Sequence, residues 1–110
     1  MRVKACRASE IALGGMKSVE PNGVPILIAN VGGRFLAIGD VCSHARSRLS
    51  DGYLDENECT VECPTHNAVF SLATGDALEY PADEPVPTYA VTLVGDDIHI
   101  DLPDDCRPDS

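Results

Sequence analysis

Two short segments of the sequence each pair a cysteine with a histidine. The first is Cys42-x-His44, and the second, beyond residues 45–62, is Cys63-x-x-His66. The whole chain has only three histidines and five cysteines, so these pairs use much of its metal-binding chemistry. Thiolate and neutral imidazole are both metal ligands, and these spacings let both members of a pair reach one centre from a single turn. The pattern indicates a metal site held by two loops.

Two kinds of centre fit two cysteines and two histidines. Zinc takes such a set tetrahedrally and would make the region a structural clip. A [2Fe-2S] cluster with two thiolates on one iron and two imidazoles on the other is the Rieske arrangement. The ligand types alone leave both possibilities open.

The residues around the two pairs resemble a known family. "CSHARSRLSDGYL" has a Leu and a Gly after Cys-x-His, and "CPTHNAVFSLATG" has a Phe and a Thr-Gly after Cys-Pro-x-His. "YPADEPVPTYAVTLVGDDIHIDL" is similar to the proline loop and closing hairpin that follow in that family. Over roughly residues 35–102 the chain resembles the Rieske-type ferredoxins, small electron carriers of bacterial aromatic-ring-hydroxylating dioxygenase systems.

This resemblance implies one Rieske [2Fe-2S] cluster. By position, Cys42 and Cys63 would bind one iron through sulfur, and His44 and His66 would bind the other at the exposed tip. Neutral imidazoles in place of anionic thiolates favour the reduced state and raise the potential above that of an all-cysteine cluster.

The neighbours of the ligands bear on the reduction potential. High-potential Rieske proteins carry a disulfide between their ligand loops, and the corresponding positions here are Ser47 and Thr65. Those proteins also donate hydroxyl hydrogen bonds to the cluster from positions that are Ala68 and Phe70 here. With fewer donors, we expect a potential near the bottom of the roughly −150 to +300 mV Rieske range. The proline segment that begins at Pro81 would cover one side of the cluster.

Two arginines in the first loop depart from the family pattern. Arg46 and Arg48 could form a positive collar that orients docking and favours the reduced cluster. Alternatively, they are solvated side chains that pair with Asp51 or Glu62. Both interpretations stay open at this stage.

The remaining histidine and cysteines are not expected to be ligands. His99 alternates within "DDIHID", which is typical of an exposed strand residue. Cys59 lies in a loop longer than is usual in the family, and Cys6 and Cys106 are most simply a small buried side chain and a tail thiol.

The sequence predicts an all-β fold, because short apolar stretches alternate with turn signals and no long helical stripe is present. We expect a single Rieske-type domain over residues 1–110, an antiparallel β-sandwich. A cluster-binding subdomain at about 41–71 would be inserted in a β base domain of residues 1–40 and 72–102, with a flexible tail at 103–110. The predicted strands are 2–6, 16–19, 24–29, 34–38, 61–63, 68–71, 89–94 and 98–102.

The charge of the chain narrows its partners. The formal net charge is −10, and ten acids face the single base Arg107 from Asp76 onward. Such a surface repels phosphate, so nucleic acid and anionic lipid are not expected partners. No run approaches the roughly 20 apolar residues of a membrane span, and no signal peptide opens the chain, so we expect a cytoplasmic protein.

The expected function is that of a carrier with no catalytic residues of its own. It would take one electron from a flavin-containing, NAD(P)H-dependent ferredoxin reductase and pass it, as a monomer, to a terminal oxygenase. The alternatives are the small Rieske-like subunit of an assimilatory nitrite reductase and a zinc-binding interaction module.

Overall fold

The structure is a computed structural model that describes residues 2–41, 48–64, 68–79 and 84–102. These residues form ten strands and three single-turn 3₁₀ helices, which confirms the predicted all-β class. None of the helices in these ranges has the length and apolar character needed to span a membrane.

The strands follow one another in short antiparallel hairpins. Both central residues of the β3–β4 turn, Gly32 and Gly33, have positive φ values, of 61° and 93°. Tight hairpin turns favour glycine for this reason. The strands are β1 (Arg2–Arg7), β2 (Met16–Val19), β3 (Ile26–Val31), β4 (Arg34–Gly39), β5 (Tyr53–Asp55), β6 (Thr60–Glu62), β7 (Val69–Ser71), β8 (Ala77–Glu79), β9 (Thr88–Val94) and β10 (Asp97–Asp101). The 3₁₀ helices are η1 (Ala8–Glu10), η2 (Pro21–Gly23) and η3 (Leu49–Asp51).

The larger sheet has the order β1-β10-β9-β4-β3-β2 and is nearly divided in two. Only Ala37 with Tyr89 and Ile38 with Thr88 pair across β4 and β9. Side chains from β1 and β10 pack in one buried cluster with side chains from β3 and β4. The two halves therefore face each other as the layers of the predicted sandwich.

Strand β3 lies at the centre and is buried on both faces. Ile26 and Ile28 pack in the cluster between the two halves of the larger sheet. Leu27 and Ala29 point the other way, into a second cluster shared with the smaller sheet. All four side chains are inaccessible to water. This is why β3 reads as a continuous apolar run rather than an alternating one.

The smaller sheet has the order β5-β6-β7-β8 and packs on the second cluster. We predicted that the insertion ends at about residue 71, but this sheet continues to Glu79 because β8 pairs with β7. The sequence gave no clear signal for β5 or β8. Each has three residues, too few for an alternating pattern, and Ala77 and Leu78 are common in helices.

The end of the proline segment ties the two sheets together. Residues 84–87 contain no strand, as the prolines predicted. The Val86 N–H donates to the carbonyl of Gly75, at 2.9 Å, and the Pro87 carbonyl accepts from Gly39 N–H, at 2.8 Å. Val86 itself is buried in the cluster beneath the smaller sheet. The segment therefore has a fixed position against both sheets.

Candidate metal centre

One of the four predicted ligands, Cys63, lies within the described part of the chain. The structure also describes the residues at which each ligand loop begins and ends. The following predicted site residues lie outside the described ranges: Cys42, His44, Arg46, Ser47, Thr65, His66 and Pro81.

The second ligand loop closes the β6–β7 hairpin. Val61 pairs with Phe70, and beyond the strands Cys63 N–H donates to the carbonyl of Ala68 at 2.7 Å. Alternation along β6 points Val61 and Cys63 inward and Glu62 outward. Cys63, Ala68 and Phe70 are all fully buried in one apolar cluster. The predicted sulfur ligand therefore lies on the dry side of the loop.

The first ligand loop is closed in a similar way. Val41 and Arg48 form an isolated antiparallel bridge, and Leu49 N–H donates to the carbonyl of Asp40 at 2.6 Å. Helix η3 follows at once and buries Leu49 completely, in the same cluster as Cys63. The ends of both loops therefore meet on one core.

Gly52 lets the two loop bases touch. A Cβ atom at this position would overlap the carbonyl oxygen of Glu62 and lie 3.1 Å from Cδ of Pro64. Only a residue without a side chain fits between η3 and the start of the second loop. This contact gives a physical reason for the glycine that follows the first Cys-x-His pair.

Arg48 pairs with acids other than those proposed from the sequence. Its Nη1 lies 3.1 Å from Oδ2 of Asp40 and its Nη2 lies 3.1 Å from Oε2 of Glu20, so the proposed pairing with Asp51 or Glu62 was wrong for this arginine. The hydrogen bonds to Asp40 and then to Glu20 raise the pKa of Arg48. The guanidinium is thus committed to two carboxylates, which argues against its predicted role in a docking collar.

Sequence reasoning missed Asp40, the only charged side chain among the described residues that is fully buried. The available signal was an acid that directly follows the apolar strand in "FLAIGD". An isolated acid at a strand end is more often exposed, so this signal was too weak to predict burial.

The smaller sheet presents an acidic outer surface beside the site. Residues 49–79 contain seven acids and neither lysine nor arginine. Tyr53 and Leu78 are 66% and 51% exposed, and Tyr53 lies opposite Glu62 in the β5–β6 register. We call the surface formed by Tyr53, Glu58, Glu62 and Leu78 the acidic sheet face, and its Glu62 is adjacent in sequence to Cys63.

The chemistry of the donor set fits a Rieske cluster. Two cysteines and two histidines lie on loops whose ends share one core, and the described cysteine is shielded from water. A thiolate ligand needs such shielding, because the hydrophobic surroundings of a metal site control solvent access and tune its potential. His99, the one histidine outside the two loops, lies on β10, whose buried neighbours pack between the halves of the larger sheet.

Comparisons with known proteins agree with this site. Residues 1–90 match the Rieske [2Fe-2S] domain family. The chain is 47% identical over 103 residues to the 3-phenylpropionate/cinnamic acid dioxygenase ferredoxin subunit of Escherichia coli (strain K12), covering 94% of this chain and 95% of that protein. The solved structure of a Sphingomonas yanoikuyae B1 ferredoxin superposes with a TM-score of 0.87 at 30% identity, covering 94% of this chain and 100% of the other.

A third match comes from an assembly. It is a chain in a complex of reduced oxygenase and oxidized ferredoxin in carbazole 1,9a-dioxygenase, with a TM-score of 0.82, 29% identity and coverage of 90% of this chain and 91% of the other. The chain described here belongs to the Rieske [2Fe-2S] domain family. It carries one Rieske [2Fe-2S] cluster, so the zinc alternative is set aside.

Substitution of two cysteines four positions apart separates a ligand from a packing residue. Cys63→Ser should abolish binding of the cluster, whereas Cys59→Ser should keep it. Cys59 lies on the β5–β6 turn, with φ of 57°, and its carbonyl accepts from Leu72 N–H at 2.9 Å. Iron and sulfide content and the visible spectrum of the purified variants would report the result. Full iron content in Cys63→Ser would contradict the predicted ligand.

Proposed function

We propose that this chain is the ferredoxin component of an aromatic-ring-hydroxylating dioxygenase system. It would take one electron from a flavin-containing, NAD(P)H-dependent reductase and deliver it to the terminal oxygenase. The observation that carries the proposal is the 47% identity to a dioxygenase ferredoxin subunit over nearly the whole length of both proteins. The same identity favours this role over that of a nitrite reductase small subunit.

The chain is an electron-transfer component and not itself an enzyme. An oxygenase subunit needs a second, oxygen-activating iron, which is commonly held by two histidines and a carboxylate. Once His44 and His66 serve the cluster, His99 is the single histidine left in the sequence. The chain therefore lacks the residues for such a centre and must pass its electron to another protein.

The four ligands divide between two irons in this proposal. Cys42 and Cys63 bind one iron, and His44 and His66 bind the other. The cluster supplies one-electron chemistry: two ferric ions, two sulfides and two thiolates sum to a neutral oxidised site, and one electron makes it −1. The chain holds the ligands and keeps water from the sulfur side through the buried Cys63 and its apolar neighbours.

The described surroundings of the cluster favour a low potential. Ala68 and Phe70 are fully buried beside Cys63, and neither carries a hydroxyl. Hydrogen bonds from the protein stabilise the extra charge of a reduced cluster, so their absence lowers the potential. The carrier is thereby suited to receive its electron from a reductase and to give it up readily.

A hydroxyl introduced at Ala68 should raise the potential. If Ala68→Ser donates one hydrogen bond to the cluster that is worth about 1 kcal/mol, the midpoint rises by about 40 mV. Val69→Thr adds a hydroxyl one residue along, on a side chain that lines the groove of the outer sheet surface, and should leave the midpoint unchanged. Protein-film voltammetry of both variants makes the comparison. A rise no greater than that of Val69→Thr would count against this account of the low potential.

The acidic sheet face is the surface proposed for docking of the oxygenase. Its exposed apolar residues, Tyr53 and Leu78, suit a contact that excludes water, and its acids complement a partner with lysines and arginines near its electron-entry site. Its proximity to Cys63 would bring such a partner close to the cluster. Opposite charges speed association, and salt screens them.

Charge removal at two places tests this docking surface. Glu58→Gln with Glu62→Gln should slow the reduction of an oxygenase several-fold at low ionic strength, and the difference should shrink in high salt. Asp97→Asn with Asp101→Asn makes the same change in net charge on β10, beyond the opposite layer of the fold, and should have a much smaller effect. Stopped-flow mixing with the terminal oxygenase of the 3-phenylpropionate/cinnamic acid dioxygenase system would measure the rates. Equal slowing by both pairs would contradict a localised docking surface.

The remaining expectations complete the proposal. We expect a monomer that works in the cytoplasm, with no nucleic acid or membrane partner. Cys6 and Cys59 form no disulfide, which fits a reducing compartment.

A further inference from the structure

A buried carboxylate lies at the base of the first ligand loop. The side chain of Asp40 has no exposed surface and accepts four hydrogen bonds. Its Oδ1 accepts from Ser50 N–H at 2.8 Å. Its Oδ2 accepts from the hydroxyls of Ser18 and Ser50, at 2.7 and 3.0 Å, and from Nη1 of Arg48, at 3.1 Å. The donors come from strand β2, helix η3 and the end of the loop itself.

The backbone of the same residues closes the loop. Val41 and Arg48 form a β-bridge, and Leu49 N–H donates to the Asp40 carbonyl. The two ends of segment 42–47 are therefore joined once by the main chain and once by the Asp40–Arg48 side-chain pair. Both joints consist entirely of residues that flank the segment.

Arg48 extends this joint to the edge of the larger sheet. Its Nη2 reaches Glu20, in the turn after β2, and its Nη1 also lies 3.3 Å from the Ser18 hydroxyl on β2. Strand β2 is the edge strand of the sheet. The planar guanidinium can hold these partners in one geometry, which a lysine could not do.

The chemistry of the pair is costly for a purely stabilising contact. A carboxylate taken out of water must be repaid by several well-aligned hydrogen bonds, and an apolar residue of similar size often stabilises a fold as well or better. A fully bonded buried carboxylate instead fixes one arrangement of the segments around it. Here those segments are the ends of a loop that carries two predicted ligands.

We propose that Asp40 and Arg48 are positioning residues for the first ligand loop. They fix the separation and orientation of residues 41 and 48, so that segment 42–47 presents Cys42 and His44 to the centre that Cys63 also serves. This role rests on the proposed ligand set. It acts through the ligands, and neither residue needs to touch the cluster.

The test compares three single variants of the cluster-loaded protein. Asp40→Asn keeps the shape of the side chain. The serine hydroxyls can reorient to accept from the new amide, but Arg48 can only donate, so their joint is lost. Arg48→Lys keeps the charge without the fork. Glu20→Gln makes the same charge change as Asp40→Asn but removes only the exposed partner, and is the matched control.

Two readouts separate positioning from simple stability: the rate of iron loss to excess chelator and the g-values of the reduced cluster. Both are recorded at a temperature where circular dichroism shows each variant fully folded. Asp40→Asn should lose iron about tenfold faster or more and shift or broaden the g-values, with Arg48→Lys intermediate. Glu20→Gln should stay within twofold of the wild type on the first readout and match it on the second.

Unchanged g-values and iron loss in folded Asp40→Asn would overturn the positioning role while leaving the proposed function intact. If Asp40→Asn does not fold, Ser50→Ala decides, because it removes one hydroxyl donor and keeps the carboxylate–arginine pair. It should then shift the g-values measurably, and wild-type g-values in that variant would overturn the proposal. A wild-type protein without a Rieske spectrum would overturn the proposed function itself.

Discussion

The apolar cluster beneath the smaller sheet fixes the distance between the two ligand loops. It holds Leu49, directly after the first loop, and Cys63, at the start of the second, with neither exposed to water. A [2Fe-2S] centre requires ligands from both loops to reach two irons at a fixed separation, so the loop bases cannot move independently. Strand β3 makes this possible, because its Leu27 and Ala29 supply the floor of the same cluster. Burial of such side chains is worth about 1.5 to 3 kcal/mol each, which makes the platform stable.

Polar groups at the loop bases are held as closely as the apolar ones. Asp40 would destabilise the core if its charge were unpaired, yet every oxygen of its carboxylate has a donor. Gly52 allows main chain to contact main chain between the loops, and Gly75 lets the Val86 carbonyl approach closely where the proline segment meets the smaller sheet. A cluster site of this kind therefore depends on contacts that carry no metal-binding group themselves.

Local pattern was enough to predict most of the larger sheet from the sequence. Strand β2 has the predicted bounds, and β1, β4 and β10 differ from prediction by one residue at an end, because alternation and turn glycines mark such strands clearly. Strands β5 and β8 were missed because three residues pair only through tertiary context. The cysteine and histidine pairs were found by residue type. The partners of Arg48 were not, since Glu20 lies far away in sequence and meets it only once β2 and the loop are assembled.

The account depends most on one claim, that two cysteines and two histidines share a single [2Fe-2S] cluster. Pulsed electron paramagnetic resonance of the dithionite-reduced protein tests it directly. The account predicts a red-brown protein with one paramagnetic signal per cluster and modulation from two coordinated histidine nitrogens. A colourless protein that binds one zinc ion and gives no signal on reduction would contradict it.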